Sequence, residues 1–176
     1  MPVNLEIKVA LPSHKKVKSI LQEIGAEFKG ILNQKDIYYK SPSCLLKMRI
    51  IKNDRIELIK YNRVESGETR WSNYEVILLS GKKVPGFFDN ILKTETIVEK
   101  KRELWLYDNT RIHLDKVKGL GYFLELETLV LGGKKDAQKR FDHMVKTLGL
   151  DFDSQIRSSY RNLMKAKEKK AKQTKP

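Results

Sequence analysis

Charged and apolar residues alternate along most of the segments of this chain that are predicted to be β-strands, and this pattern constrains the fold more than any other feature. Side chains alternate between the two faces of a strand, so in "LLKMRII" Lys47 and Arg49 share one face while apolar residues occupy the other. In "NLEIKV" the polar face carries Asn4, Glu6 and Lys8. A single strand of this kind usually turns its polar face to water, but nearly every predicted strand repeats the pattern.

The order of the predicted elements indicates an α+β fold dominated by one antiparallel sheet. About eight short strands, joined by turns rich in Asn, Asp and Gly, predict a sheet that is closed or nearly closed into an antiparallel β-barrel. Helical spacing of apolar residues predicts flanking helices at about 14–24, 85–92, 134–149 and 154–167. The segment 64–73 is expected to be a loop.

A closed barrel with these polar faces inward would enclose charged residues. About six cations and four carboxylates would lie inside, and they cannot form a dry core, because an unpaired buried charge costs several kcal/mol. We therefore expect a wet, polar tunnel. The residues on the polar faces of the later strands are Lys47 and Arg49, Tyr61 and Arg63, Lys100 and Arg102, Arg111 with His113 and Asp115, and Glu125 with Glu127.

A cationic tunnel that also contains clustered carboxylates suits a polyphosphate ligand. Arg presents a bidentate fork to phosphate, and Lys presents a compact positive charge. A divalent ion such as Mg²⁺ or Mn²⁺ can bridge carboxylate and phosphate oxygens. The predicted chemistry is phosphoryl or nucleotidyl transfer assisted by charge neutralisation. His113 has no evident partner in the sequence, so we expect a neutral residue of the lumen or of its rim rather than a general base.

Six stretches occur in an order typical of a known superfamily. They are "NLEIK", "QKDIYY", "LLKMRI", "IVEKKRELW", "RIHLDKVKGLGYFLELE" and "RSSYRNLM". The first resembles the Glu-x-Glu-x-Lys signature of the CYTH superfamily, the triphosphate tunnel metalloenzymes, which include class IV adenylyl cyclases and thiamine triphosphatases. The last two are most similar to the class IV cyclase branch. The resemblance spans nearly all of residues 1–164, and the ordered set is more specific than the first motif alone.

This resemblance implies an eight-stranded antiparallel tunnel that binds a triphosphate together with one or two metal ions. It implies catalytic roles for Glu6 and for Lys8, the latter as a base or a water-orienting group. The implied ligands of Mg²⁺ or Mn²⁺ are Glu6, Asp115, Glu125 and Glu127. The implied triphosphate-binding residues are Lys8, Lys47, Arg49, Arg63, Lys100, Arg102, Arg111 and Arg157.

Two residues depart from the family pattern. Asn4 stands where the signature has its first Glu, and Tyr61 stands where relatives are expected to have a tunnel lysine. Four functions therefore stay open. They are hydrolysis of a triphosphate (ATP, thiamine triphosphate or tripolyphosphate), conversion of ATP to cyclic AMP and pyrophosphate, triphosphate binding weakened in catalysis by Asn4, and nucleic-acid binding driven by positive charge alone.

The composition is that of one basic globular domain. The chain has 176 residues and a formal net charge of +14. We expect a tunnel domain over residues 1–164 and a lysine-rich tail over 165–176 that is a frayed helix end or disordered. The single cysteine, Cys44, and the lack of a signal-like or membrane-spanning apolar run predict a cytoplasmic protein without a membrane partner. No nucleic-acid recognition motif is present, so no specific nucleic acid is expected, and the resemblance is compatible with a homodimer.

Overall fold

A closed, eight-stranded antiparallel barrel forms the body of the protein. The computed structural model describes residues 3–51, 55–63 and 70–173, of which 3, 62–63 and 70–73 are described by their backbone alone. The strands are β1 (Val3–Leu11), β2 (Glu27–Tyr39), β3 (Leu45–Ile51), β4 (Arg55–Arg63), β5 (Arg70–Leu79), β6 (Thr94–Tyr107), β7 (Thr110–Val117) and β8 (Gly121–Leu129).

The barrel closes because β1 pairs with both ends of the sheet. Its neighbours are β5 on one side and β8 on the other, and the order around the barrel is β1, β5, β4, β3, β2, β6, β7, β8. All eight pairings are antiparallel. The α+β fold with an eight-stranded antiparallel barrel, predicted from the sequence, is therefore confirmed.

Within the described residues, four helices lie outside the barrel. They are α1 (Lys15–Glu23), α2 (Val84–Ile91), α3 (Lys134–Thr147) and α4 (Tyr160–Gln173), and a short 3₁₀ turn covers Phe152–Ser154. Pro85 lies in the first turn of α2, where its missing N–H has no helical acceptor to lose. Gly25 follows α1 with φ of +73°, a left-handed conformation that suits glycine and ends the helix.

The outer face of the barrel is apolar where helices cover it. α1 and α3 pack over the sheet near β1, β7 and β8, where Ile7, Leu114 and Leu124 are fully buried. α2 packs over the opposite side, against a cluster that includes Met48. Burying a large apolar side chain stabilises a fold by about 1.5–3 kcal/mol. Because the apolar side chains face these helices, the alternating charged side chains face the lumen.

Two sequence-based boundaries differ from the structure. The predicted helix at 154–167 begins only at Tyr160, because residues 155–156 pair with β1 as extended backbone: the Ile156 N–H donates to the Lys8 carbonyl at 2.8 Å. Residues 70–73 of the predicted loop belong to β5, and 64–69 lie outside the described residues.

The lysine-rich tail is helical as far as Gln173 in the structure, beyond the expected boundary at residue 164. Two of its lysines contact the barrel: Lys165 pairs with Glu95, and Lys167 donates to the Gly119 carbonyl. Residues 174–176 lie outside the described part of the chain. Within that described part, none of the helices combines the length and the apolar character needed to span a lipid bilayer.

Candidate functional site

The barrel lumen holds two adjoining cavities. The smaller, with a volume of about 60 Å³, lies beside the start of α4 and is called the narrow cavity below. The larger, with a volume of about 270 Å³, continues toward the other end of the barrel and is called the wide cavity. The residues that line both are Glu6, Arg49, Tyr61, Arg102 and Glu127.

The narrow cavity brings together most of the residues that the sequence singled out. Five basic side chains from β1, β3 and β6 face three acidic ones from β1 and β8. The basic residues are Lys8, Lys47, Arg49, Lys100 and Arg102, and the acidic residues are Glu6, Glu125 and Glu127. Alternation alone placed them on inward faces, and the barrel closure makes these faces meet.

The first basic pair is held by a buried aspartate. Asp36, on β2, lies directly opposite Arg49 of β3 in the ladder and is 0% exposed. It accepts hydrogen bonds from Arg49 Nε at 2.7 Å, from Arg49 Nη2 at 2.9 Å and from Lys47 Nζ at 2.9 Å. Burial works to raise the pKa of this carboxyl, but the two cations hold it well below its usual value. Asp36 is therefore a carboxylate that fixes both cations.

The second basic pair repeats this arrangement. Asp115, on β7, lies directly opposite Arg102 of β6 and is also 0% exposed. Arg102 donates to both of its oxygens at 2.7 and 2.6 Å, Lys100 Nζ donates at 3.1 Å, and the Tyr160 hydroxyl donates at 3.0 Å. Burial opposes ionisation of Asp115, yet Arg102 and Lys100 lower its pKa. Two Lys-x-Arg pairs are thus each braced from behind by one aspartate.

Of these two aspartates, the sequence singled out only Asp115. Asp115 was predicted as a metal ligand, but both of its oxygens accept hydrogen bonds from protein donors, and a metal ion would have to displace one of them. Asp36 was not singled out from the sequence. The signal that identifies it is register: "QKDIYY" alternates so that Asp36 shares the inward face with Tyr38, opposite Arg49.

Glu125 and Glu127 of β8 form the acidic wall of the lumen, and ion pairs connect this wall to basic side chains of nearby strands. Lys8 Nζ lies 3.1 Å from Glu125, and Arg102 Nη2 lies 2.6 Å from the other oxygen of the same carboxylate. Arg111 Nη2 lies 2.9 Å from Glu127 Oε2. Burial would raise the pKa of Glu125, but Lys8 and Arg102 hold it well below its usual value. Glu125 is therefore ionised, and Glu127 lies near it, as a divalent-metal site requires.

Tyr160, at the first turn of α4, closes the narrow cavity. Its ring packs edge-on against Phe123, and the Nζ atoms of Lys8 and Lys100 lie 4.3 and 4.8 Å from the ring centroid. Such cation–π contacts are favourable when water is excluded. The Lys8 ammonium also donates to the Ser158 carbonyl at 3.0 Å. The hydrogen bond of the Tyr160 hydroxyl to Asp115 and the contacts of its ring with two lumen lysines tie the start of α4 to the site.

His113 lies beside the acidic wall. It faces Glu125 across the β7–β8 ladder and is 5% exposed, and one ligand atom from each of His113, Glu125 and Glu127 lies within 4.8 Å of the others. Burial, reinforced by Arg102, lowers the pKa of His113 to about 4, so its ring is neutral near pH 7. A neutral imidazole and two carboxylates are a donor set that fits a divalent cation, and the metal site at Glu125 and Glu127 stays a prediction.

The wide cavity has a different lining. Its walls are partly apolar or aromatic, through Leu32, Ile51, Ile59, Val76, Leu104, Tyr61 and Tyr74. Asn4 also lines it, is 1% exposed, and has an Oδ1 atom without a hydrogen-bond partner among the described residues. The rings of Tyr61 and Tyr74 stand 6.0 Å apart on neighbouring strands. The wide cavity can accept a flat organic group next to the charged narrow cavity.

Two predicted phosphate-binding residues are not among those that line the narrow cavity. Arg111 lines the wide cavity instead. Arg157 is exposed and is not among the residues that line either cavity. The side chain of Arg63 lies outside the described residues.

Known proteins are similar to this chain in sequence and in fold. The model of the CYTH domain matches residues 3–160. A protein of Methanocaldococcus jannaschii named "putative adenylate cyclase" is 26% identical over 171 residues, which cover 92% of this chain and 98% of that protein.

Two solved structures show the same fold. A protein of Pyrococcus horikoshii OT3 has a TM-score of 0.80 at 21% identity over 91% of this chain and 98% of its own. A Hippeastrum protein, described as a "putative adenylyl cyclase" with a dominant triphosphatase activity, has a TM-score of 0.62 at 12% identity over 85% of this chain and 89% of its own. Members of the CYTH family are metal-dependent enzymes that bind triphosphates. Since the family model covers most of the chain, from β1 to the start of α4, this protein belongs to the CYTH domain family.

Proposed function

We propose that this protein is a divalent-metal-dependent triphosphatase that hydrolyses an organic triphosphate in the barrel lumen. The observation that carries the proposal is the convergence of two braced Lys-x-Arg pairs, from β3 and β6, on one narrow cavity with three glutamates. The pairs supply directional phosphate donors, and the glutamates supply hard oxygen ligands for a metal ion.

The bracing aspartates prepare the arginines for phosphate. A guanidinium has five N–H donors, and Asp36 accepts from two nitrogens of Arg49 just as Asp115 accepts from two nitrogens of Arg102. Each Arg therefore keeps N–H groups for a ligand while its plane is already fixed. Donors fixed before binding lose less entropy when they take up phosphate oxygens.

We expect the glutamates of the acidic wall to change their partners when metal and triphosphate bind. Lys8 and Arg102 neutralise Glu125, and Arg111 neutralises Glu127. A triphosphate in the narrow cavity would compete for these cations, and a divalent ion on Glu6, Glu125 and Glu127 would replace their charge. A bound ion of this kind would neutralise phosphate oxygens and activate a water molecule as the nucleophile. Metal and triphosphate should therefore bind with positive cooperativity.

Lys8 is positioned to orient the attacking water molecule. Its ammonium is fixed by Glu125 at 3.1 Å and by the Ser158 carbonyl at 3.0 Å, and it lies over the Tyr160 ring. In this position it can orient a water molecule or a terminal phosphate oxygen in the narrow cavity. Glu6 lines the same cavity from the same face of β1.

The wide cavity favours an organic over an inorganic substrate. Its volume of about 270 Å³ and the apolar and aromatic part of its wall can hold a ring system, and the polar residues that share the wall can bind the polar groups of such a substrate. Because it adjoins the narrow cavity through Arg49, Arg102 and Tyr61, a substrate would place its triphosphate beside α4 and its organic group toward Asn4.

Two other functions each have one supporting observation. The archaeal relative is named for adenylate cyclase, which supports conversion of ATP to cyclic AMP and pyrophosphate. Cyclisation also needs the ribose 3′ oxygen aligned with the α-phosphate, which is a stricter geometric demand than hydrolysis. The absence of a carboxylate at Asn4 supports a triphosphate-binding module with weakened catalysis.

The products separate these functions. Purified protein is incubated with ATP, thiamine triphosphate or tripolyphosphate, with Mg²⁺ or Mn²⁺, and the products are resolved by anion-exchange chromatography. We expect metal-dependent release of orthophosphate, faster from an organic triphosphate than from tripolyphosphate. Cyclic AMP with pyrophosphate as the main products would establish the cyclase. Tight triphosphate binding without any product would establish the binding module.

The substitution Asn4→Glu tests how the departure from the family signature limits this enzyme. An added carboxylate next to Glu6 on the inward face of β1 should strengthen metal binding. We expect half-maximal turnover at a several-fold lower Mn²⁺ concentration, with rates that converge at saturating metal. Asn4→Gln, which adds the same length without a charge, is the control. An equal metal dependence in the wild type and in Asn4→Glu would show that residue 4 does not limit metal binding.

Lys47 gives triphosphate binding a specific pH dependence. Burial and the neighbouring Arg49 lower its pKa to about 7, although Asp36 acts in the opposite direction. An anionic phosphate raises this pKa, so at pH 8 the free protein holds Lys47 mostly neutral and must take up a proton on binding. Affinity for the triphosphate should therefore fall as the pH rises through 7 to 9.

Calorimetric titration in two buffers of different ionisation enthalpy measures this proton uptake. Lys47→Arg is the matched control, because arginine keeps its charge throughout this pH range. We expect uptake of a substantial fraction of one proton at pH 8 in the wild type and less in Lys47→Arg. The protonation of the phosphate itself is common to both proteins. The same uptake in both would show that Lys47 is already charged in the free protein.

A further inference from the structure

We infer that His113 supplies a nitrogen ligand to the metal site of the lumen, beside Glu125 and Glu127, and that this ligand makes the site prefer Mn²⁺ and other transition-metal ions over Mg²⁺. The inference rests on the proposed function only in taking the acidic wall as the metal site. It adds a ligand of a different chemical type and, with it, a metal preference.

The ring of His113 is placed toward the acidic wall by the β7–β8 ladder. His113 pairs with Glu125 in register, and Arg111, two residues earlier on the same face, pairs with Glu127. Arg111 holds Glu127 Oε2 at 2.9 Å, while the other oxygen, Oε1, lies 3.6 Å from His113 Nδ1. A distance of 3.6 Å is too long for a hydrogen bond, but it fits two ligands of one ion.

The Nδ1 atom of His113 faces the acidic wall without a hydrogen bond to any described residue. It is also buried. A buried polar atom left without a partner costs about 1–3 kcal/mol, so its presence needs an explanation. The atom belongs to a ring that lines the wide cavity together with Glu127. A metal ion between His113 and the glutamates would satisfy it.

The spacing of the three residues is close to that of a metal site. Two ligands with bonds of about 2.1 Å to one ion lie roughly 3 Å apart when adjacent and about 4.2 Å apart when opposite. The candidate atoms of His113, Glu125 and Glu127 all lie within 4.8 Å of one another, so small side-chain rotations bring them onto one ion. The cations that hold the glutamates, Lys8, Arg102 and Arg111, are the groups that a triphosphate would draw away.

The type of ligand decides the metal preference. Mg²⁺ binds oxygen ligands in near-ideal octahedral geometry and takes imidazole poorly, whereas Mn²⁺ and the later divalent ions accept nitrogen. A site of carboxylates alone would discriminate little between Mg²⁺ and Mn²⁺. One imidazole among the carboxylates shifts the balance toward Mn²⁺.

Pulsed electron paramagnetic resonance of bound Mn²⁺ tests this directly, because a ligand nitrogen modulates the electron spin echo. We expect ¹⁴N modulation in the wild type and its loss in His113→Phe. Calorimetry should show Mn²⁺ affinity falling by about tenfold or more in that variant, with Mg²⁺ affinity changed less than about twofold. His143→Phe, an exposed histidine on α3, is the matched control and should retain the modulation.

A variant that does not fold leaves the wild-type measurement decisive. The chain has three histidines, and labelling them with ¹⁵N should replace the ¹⁴N pattern by that of ¹⁵N if one of them binds the ion. Mn²⁺ bound without nitrogen modulation would overturn the role of His113 and leave the triphosphatase proposal standing. The role of His113 would also be overturned if His113→Phe retained hydrolysis and bound Mn²⁺ as tightly as the wild type does. Loss of the proposed function would instead appear as absent turnover with either metal.

Discussion

Replacing Glu125 by Gln is expected to reduce metal-dependent triphosphate turnover by about 100-fold or more, because the change removes a metal ligand from the lumen. Glutamine keeps the size of the side chain but loses its charge. Lys8 and Arg102, which Glu125 holds at 3.1 and 2.6 Å, then have one fewer carboxylate to neutralise them. Metal affinity should fall with turnover, and triphosphate affinity in the absence of metal should be kept or increased.

This opposite movement of metal and triphosphate binding distinguishes a metal ligand from a residue that only supports the fold. Calorimetric titrations with Mn²⁺ and with tripolyphosphate measure the two affinities separately. Glu75→Gln is the matched control, since Glu75 is an exposed strand glutamate that pairs with Lys60 outside the lumen. Turnover within twofold of the wild type in Glu125→Gln would remove Glu125 from the metal site.

Replacing Asp115 by Asn is expected to lower the free energy of unfolding by about 3–5 kcal/mol, because removing one partner of a buried charge network leaves the others uncompensated. Asp115 is 0% exposed, and Lys100 and Arg102, which it holds, are almost fully buried. Asparagine retains the shape but cannot neutralise the two cations. Chemical denaturation at neutral pH measures the loss.

A triphosphate should partly reverse this loss. In Asp115→Asn the ligand supplies negative charge to Lys100 and Arg102, so tripolyphosphate should raise the melting temperature of the variant more than that of the wild type. Asp142→Asn is the control, because Asp142 is exposed on α3 and accepts a hydrogen bond from Gln138. A loss of less than about 1 kcal/mol in Asp115→Asn would contradict the bracing role.

The free energy of unfolding of the wild-type protein should fall at acid pH, because the buried charge network depends on ionised Asp115. The pKa of Asp115 is lower in the folded protein than the ordinary value of 3.8. Its stabilising contribution is therefore complete above pH 3.8 and is lost as the pH falls through the lower folded value. Asp36, whose pKa is also held low, contributes in the same direction. Asp115→Asn should accordingly flatten the decline in stability at acid pH.

Alternation in the sequence was sufficient to predict the fold and which side chains share a face. Lys47 with Arg49 and Glu125 with Glu127 could be assigned to one wall each, because strand periodicity is local. Register is not local. The bracing role of Asp36 follows only from the pairing of β2 with β3, because the sequence "QKDIYY" does not indicate which residue lies opposite Asp36.

The start of α4 could not be predicted for a related reason. Apolar spacing continues through "SQIRSSYRNLM", but Gln155 and Ile156 pair with β1, and this tertiary contact overrides helical propensity. As a result Tyr160 lies at the mouth of the narrow cavity instead of in mid-helix. His113 is another case: in the sequence it lacks a partner, and the barrel brings Glu127 to 3.6 Å from its ring.

The central claim, that the barrel lumen is the triphosphate site, is tested most directly by a crystal structure of the protein with tripolyphosphate and Mn²⁺. We expect phosphate oxygens within hydrogen-bond distance of the Arg49 and Arg102 guanidinium groups, and an anomalous Mn²⁺ peak beside Glu125 and Glu127. Tripolyphosphate bound to lysines on the outer surface, with no phosphate or Mn²⁺ inside the barrel, would contradict it.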